Sequence, residues 1–328
     1  MLFSRKVLQR ILGVLWLIDG LLQLQPLMFT GNMINGIMRP MLNGQPGAIE
    51  SSLQYIVTQT SLHLAAVNWL IAIVQVLLGV SFLVLSDRFV KPVVIVSIVW
   101  AFIVWYGGEG MSMLLTGQAS IFTGAPGAVL LYPLLGLVIW PRSPSKEDAQ
   151  AVEARARNEG LISRRVLRLV LAAFWIFAAL LQLQPNWWQA GQISQAIGAM
   201  VGQGGLNTFL VDPMLRLVSN ATATIEIPLN IIVILVFLAL GIALAVVKDE
   251  HVRPLLIASI VLSVIFWYLT EAFGMILTGM ATDFNSGLLV VVMALASFST
   301  SPQRSVARAR FARSVRQQAQ EAGSAQTG

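Results

Sequence analysis

The sequence predicts an all-α, polytopic membrane protein: eight transmembrane helices in two parallel four-helix repeats, with both termini cytoplasmic. Three observations carry that expectation. Of the 328 residues, 56% are hydrophobic and only 11% charged, and the mean hydropathy is +0.76, whereas soluble domains carry roughly a quarter charged residues. The stretch Trp105 to Gly117, Trp-Tyr-Gly-Gly-Glu-Gly-Met-Ser-Met-Leu-Leu-Thr-Gly, returns as Trp267 to Gly279, Trp-Tyr-Leu-Thr-Glu-Ala-Phe-Gly-Met-Ile-Leu-Thr-Gly, with Trp, Tyr, Glu, Met, Thr and Gly at the same spacing. Finally, 19 of the 21 Lys and Arg fall in segments that the apolar runs assign to one side, and basic residues mark the cytoplasmic side.

Arg5, Lys6 and Arg10 precede an apolar run to about Leu24. This pattern also fits a signal peptide. However, Arg164, Arg165 and Arg168 precede a matching run, and both runs end in Leu-Leu-Gln-Leu-Gln-Pro, Leu21 to Pro26 and Leu180 to Pro185. A retained internal copy implies a retained first span. Met28 to Leu62 then reads as an outer loop broken by Gly31, Gly36, Pro40, Gly44, Pro46 and Gly47. Within it Met28, Ile34, Met38 and Met41 predict a short amphipathic helix on the membrane surface. Span two is expected over about 64–85. Pro92 is expected to open span three, at the first helical position where its missing N–H costs nothing, and that span to end at Thr116-Gly117. The Gly-Ala-Pro-Gly of Gly124 to Gly127 predicts a turn. Span four, about 126–140, is short, roughly 22 Å of helix against a hydrocarbon core of about 30 Å. The second half repeats the order, with spans at about 166–184, 227–247, 254–277 and 286–299 and an outer loop over 186–226.

The copies stand 159 residues apart at Trp16/Trp175 and Gln23/Gln182, and 162 apart at Asn68/Asn230, Pro92/Pro254 and Glu109/Glu271. The predicted units are a first repeat over 1–140, a cytoplasmic linker over 141–163, a second repeat over 164–300 and a basic tail over 301–328. An even number of spans per unit makes the repeats parallel. Arg304 to Arg316 is expected to rest on the inner leaflet, and the chain beyond Gln317 to be disordered.

Of the 15 carboxylates, the predicted spans hold Asp19, Glu109 and Glu271. On a continuous helix Trp105, Glu109, Met113 and Thr116 form one stripe, as do Trp267, Glu271, Met275 and Thr278. Asn68, Gln23 and Gln25 join the first set and Asn230, Gln182 and Gln184 the second, in the outer half of the membrane. Gly107, Gly108 and Gly110 let a neighbouring helix or a ligand approach beside Glu109. One account has these groups hydrogen-bonding one another between helices. Another has them lining an outward-open cavity for a cation, a proton or a polar headgroup, because ionisable residues within spans mark function; a docking surface is the third. Asp19 breaks the symmetry, since the copy has Ala178. A mid-membrane carboxylate costs roughly 2.5–3.5 kcal/mol, so either a neighbouring Asn, Ser or Trp offsets it, or the first half holds the site and the second is scaffold.

Other classes of function find little support. The absence of cysteine excludes disulfides and thiol chemistry. The pI of 10.2 invites a nucleic-acid partner, but the basic residues lie where topology requires them, and none is expected. There is no Walker loop, Rossmann fingerprint, HExxH or nucleophile elbow. His63 and His251 do not pair at metal-ligand spacing. Met28, Met33, Met38 and Met41, with Met111 and Met113, are either soft ligands for Cu(I) or packing filler. Trp187-Trp188 predicts an interfacial aromatic belt.

Two resemblances follow from these residues. Arg10-Ile-Leu-Gly-Val-Leu-Trp-Leu-Ile-Asp-Gly20, then a second span containing Gly79 and a basic turn with Arg88 and Lys91, resembles the DoxX/DoxD type of four-helix bacterial membrane protein, here doubled. The Leu-Gln-Leu-Gln-Pro, Trp-Tyr-Gly-Gly-Glu and Thr-Gly-Ala-Pro-Gly-Ala segments resemble a group of uncharacterised bacterial integral membrane proteins, which implies no activity. The DoxX/DoxD resemblance implies quinone-linked sulfur oxidation or redox-stress complexes beside a separate catalytic subunit. The residues themselves favour a non-enzymatic, multi-pass protein of the cell membrane, transporter-like or accessory, that binds a small ligand or cation around Glu109 and Glu271. A quinone-linked redox subunit and an assembly scaffold among other membrane-complex subunits are the alternatives, and no cofactor is specified. A quinone site needs a lipid-accessible apolar slot beside the carboxylate, whereas an ion or solute site needs an aqueous path.

Overall fold

The computed structural model describes residues 4–141 and 163–298. Most of the predicted linker, and the whole basic tail, lie outside the described residues. The described residues are all-α. The first half contains α1 (Arg5–Leu22), α2 (Gly47–Leu62), α3 (Leu64–Val84), α4 (Asp87–Gly107) and α5 (Leu131–Ile139). The second contains α6 (Arg164–Leu181), α7 (Gln192–Gly198), α8 (Asn207–Leu210), α9 (Asp212–Thr222), α10 (Glu226–Val246), α11 (Val252–Leu269) and α12 (Asn285–Ser297). Four helical segments are long and apolar enough to cross a membrane: α3, α4, α10 and the run Asp249–Leu269 that contains α11.

The halves are built alike. Ser4 and Ser163 cap α1 and α6, each accepting a hydrogen bond from the amide three residues on, at 3.3 Å. α1 lies along α3, and α6 along α10, and glycine sets how closely. A Cβ on Gly79 would stand 2.5 Å from the Leu17 amide nitrogen, and one on Gly241 2.6 Å from Ile176 Cγ1, so these helices touch backbone to backbone as small residues allow in membrane bundles. At the opposite end from the long loops, the buried Arg5 reaches Asp87 at 2.9 Å and the buried Arg168 reaches Asp249 at 2.6 Å. α5 and α12 are almost wholly buried and pack against one another between the halves. That shelter is the physical reason such short helices are stable here.

Several expected boundaries move. α4 begins at Asp87, so Pro92 lies inside it rather than at its first position; Pro254 is in the first turn of α11, where proline fits. α4 stops at Gly107, ten residues before Gly117, because Gly110, Met111, Ser112 and Met113 all take positive φ, between 51° and 58°. In the second half Ala272, Phe273, Gly274 and Met275 do the same, between 45° and 70°. An L-residue there costs roughly 1–2 kcal/mol, so packing must hold these segments in place. Glu109 and Glu271 consequently sit at a break in the chain and do not share a helical stripe with the Met and Thr that follow. The first long loop holds the 16-residue α2 and a π-helical turn, Met33–Met38. Met28, Met33, Met38 and Met41 are buried there with Ile34 and Val57 in an apolar cluster beneath α2.

Candidate functional site

Glu109 and Glu271 play the same structural part. The Glu109 carboxylate accepts from the Val129 amide and from Ser112 Oγ, both at 3.2 Å. Glu271 accepts from the Gly287 amide at 2.9 Å and from Ser286 Oγ. Each carboxylate therefore satisfies free N–H groups at the start of the short helical segment that follows its loop. The paired tryptophans reinforce this, Trp105 Nε1 donating to Pro126 O at 2.8 Å and Trp267 Nε1 to Phe284 O at 2.6 Å. Gly127, at φ 111°, is required by this arrangement: a Cβ there would overlap Glu109 Oε2 and Ser112 Oγ.

Asn68 and Asn230 are fully buried and donate to the carbonyls of Gln23 (2.8 Å) and Gln182 (3.2 Å), closing the ends of α1 and α6. Gln25 Nε2 donates to Leu22 O and, across the molecule, to Ala281 O at 3.1 Å. Gln182 Nε2 donates to Ser120 Oγ, and Trp187 Nε1 to Ala119 O at 3.2 Å. The loop before α5 thus reaches into the second half, and the loop before α12 into the first. Trp187 is accordingly a buried packing residue, not part of a lipid-facing belt, while Trp188 is part-exposed. Gln184 leaves Oε1 without a donor. His63 is exposed between α2 and α3, and His251 lies 3.6 Å from Glu250 at the surface.

The expected stabiliser of Asp19 was an Asn, Ser or Trp; the structure supplies Tyr132 of α5, whose hydroxyl donates to Asp19 Oδ2 at 2.5 Å. Trp16 Nε1 donates instead to Ser97 Oγ at 2.9 Å, while its ring lies 4.4 Å from that of Tyr132. Asp19 and Tyr132 open onto a cavity of about 270 Å³ that also meets Glu109, Gln23, Gln75 and, from the second half, Thr282 and Asp283. Side chains of α2, α3, α4 and the π-helical turn line the rest, all apolar but Thr60, among them Met38, Ile71 and Trp100. Asp283 accepts from the Asn285 amide at 2.6 Å and from Thr282 Oγ1 at 2.9 Å. Three carboxylates therefore border one pocket, and Glu271 is not among them.

The second half fills the corresponding space. Where the first half has Gln75 and Val104, the second, 162 residues on, has Phe237 and Phe266. These rings lie 5.1 Å apart; Trp175 packs 5.1 Å from Phe237, and Phe122, carried over by the loop before α5, lies 5.4 Å from Phe266. The matching tryptophan and glutamate bonds pair Pro126 with Phe284 and Val129 with Gly287, a separation of 158, which sets Tyr132 against Val290. Asp19 and Tyr132 are thus replaced together, by Ala178 and Val290. One frame holds a polar-ended pocket in its first half and an aromatic core in its second.

Tyr132, Gln75 and Asp283 escaped the sequence reading. Gln75 and Tyr132 carried a signal: each is a polar residue in an apolar span whose copy is apolar, as at Asp19. Asp283 carried a weaker one, a lone carboxylate in a loop whose counterpart in the first half has none.

Fold and site together define an all-α protein of membrane type with a carboxylate-ended pocket inside one half of its bundle. Compared with protein-family models, with curated proteins and with solved structures, the chain matches none.

Proposed function

We propose that this is a multi-pass membrane protein of eight spans, with cytoplasmic termini, that binds a small, lipid-soluble molecule in its first half. The polar end of the ligand meets Asp19, Tyr132, Glu109 and Asp283, and its apolar body lies between α3 and α4. The observation that carries this reading is at the mouth of the cavity. Leu70 and Ile103 line it, and both are also more than half exposed on the outer faces of α3 and α4, faces that belong in lipid. An apolar groove over Ile56, Val99, Phe102, Ile103, Tyr106 and Gly107 continues from it. Entry from the hydrocarbon is therefore favoured over an aqueous path, which supports a lipophilic ligand over a bare ion. The protein would act as a carrier or as the accessory subunit of a membrane complex; quinone handling, as the DoxX/DoxD resemblance implies, is the redox form of the same reading.

The second half supplies the test. Gln75→Phe with Val104→Phe copies into the pocket the residues that the same frame already accommodates. Full-length protein purified in mild detergent from its native membrane, extracted and analysed by mass spectrometry, should release a small molecule that the double variant lacks. Identical extracts from both would sink the proposal.

A further inference from the structure

Building on the pocket proposed above, we infer that the polar end of its ligand is a protonated amine, so that the pocket takes a hydrophobic organic cation. Charge points first to this. Among the described residues Asp19, Glu109 and Asp283 line the cavity and no Lys, Arg or His does, so its acidic groups meet no countercharge there. Nearby acids in a weakly polar pocket favour an occupant that brings positive charge.

Hydrogen bonding points the same way. Asp19, Gln23 and Gln75 are each no more than 4% exposed, and Asp19 Oδ1, Gln23 Oε1 and Gln75 Oε1 have no donor. Among the fully enclosed side-chain atoms of the lining residues, one donor, Trp100 Nε1, lacks an acceptor. Buried acceptors without donors are costly, and an ammonium brings three N–H donors while a quinone brings only further acceptors. Aromatic rings complete the argument. Trp16, Trp100 and Tyr132 line the cavity, the first and last beside Asp19, and aromatic π faces attract a cation. Beyond them the wall is hydrocarbon apart from Thr60, which suits a ring or a short chain and not a polyamine.

The test uses full-length protein in lipid nanodiscs and three probes: 4-phenylbutylamine, the neutral alcohol 4-phenylbutan-1-ol, and duroquinone. Binding is read by tryptophan fluorescence and equilibrium dialysis at neutral pH. The amine should bind at least about tenfold more tightly than the alcohol, and duroquinone should not compete. Asp19→Asn with Asp283→Asn should remove the preference for the amine; Asp283→Asn alone, in a loop, should reduce it and serves if the double variant does not fold. Equal or tighter binding of the alcohol or quinone, an amine affinity unchanged by these substitutions, or no amine binding would each overturn the inference. Alcohol or quinone binding that is lost in the Gln75→Phe, Val104→Phe variant would reject the cation but keep the pocket, whereas failure of the pocket itself would appear as unchanged extracts in the preceding experiment.

Discussion

Glu109 and Glu271 are the same residue of a repeated motif put to different use. Glu271 is 3% exposed and bonded to Ser286 and Gly287, and it does not border the pocket. Replacing it with Ala would leave the Gly287 amide and the Ser286 hydroxyl without their acceptor, a loss of about 1–3 kcal/mol. Glu109 makes the equivalent bonds, at 3.2 Å each, but also borders the pocket. We expect Glu271→Ala to lower the thermal unfolding temperature in detergent while leaving ligand recovery intact, and Glu109→Ala to lower recovery as well. Equal ligand loss from both variants would mean that Glu109 acts only through the fold. Asp19 and Tyr132 belong to this scale too: their hydrogen bond has no counterpart at Ala178 and Val290.

At the level of elements, the bundle depends on two helix pairs brought together by glycine. Gly79 of α3 faces Leu17 of α1, and a Cβ there meets backbone, not the flexible end of a side chain. Gly79→Ala should therefore force α1 and α3 apart and destabilise by roughly 1–3 kcal/mol. Because both helices line the cavity, the substitution should also weaken ligand retention. Gly241→Ala, in the filled half, should match the stability loss and spare the ligand, as measured by unfolding and by mass spectrometry of extracts. Retention lost equally in both would argue that the halves are not separable in this way. The breaks after α4 and α11 are the other decisive elements. Consecutive positive-φ residues turn the chain there, and packing against the Glu and Trp bonds holds that conformation against its local cost.

On the scale of the whole molecule, each half completes the other. The loop before α12 delivers Thr282 and Asp283 to the pocket, while the loop before α5 delivers Phe122 to the aromatic core opposite. The chain has no cysteine, so single cysteines report topology without background. Cysteines introduced at Asn43 and Gln203, in the long loops, should react with a membrane-impermeant maleimide in intact cells, and one at Asp249, in the turn between α10 and α11, only after lysis. The reverse pattern would invert the proposed orientation, and labelling of all three in intact cells would rule out the proposed crossings.

How much of this was legible depends on the range of the interactions involved. Class and the presence of the long spans follow from hydropathy, because burial in lipid acts on every residue of a segment, so α3 and α10 stand where the sequence predicts them, while α4 and α11 start near their predicted positions and end well before them. The repeated Trp, Asn and Glu were legible because two copies had to make the same local bonds. Asp19 was legible as an exception to that repeat. The helix breaks at Gly110 to Met113 and Ala272 to Met275 were not, since left-handed backbone at Met, Ser and Phe opposes local preference and is imposed by distant packing. Nor did spacing indicate that Tyr132 would meet Asp19 or that Asp283 would enter the other half. Sequence alone determined an all-α, membrane-type chain with a twice-written frame; tertiary structure decided that one copy encloses a pocket and the other a core. The physical reason is that a cavity is the space left between side chains from α1, the π-helical turn, α2, α3, α4, α5 and the loop before α12, and only their packing says whether Gln75 and Val104 leave it open or Phe237 and Phe266 close it.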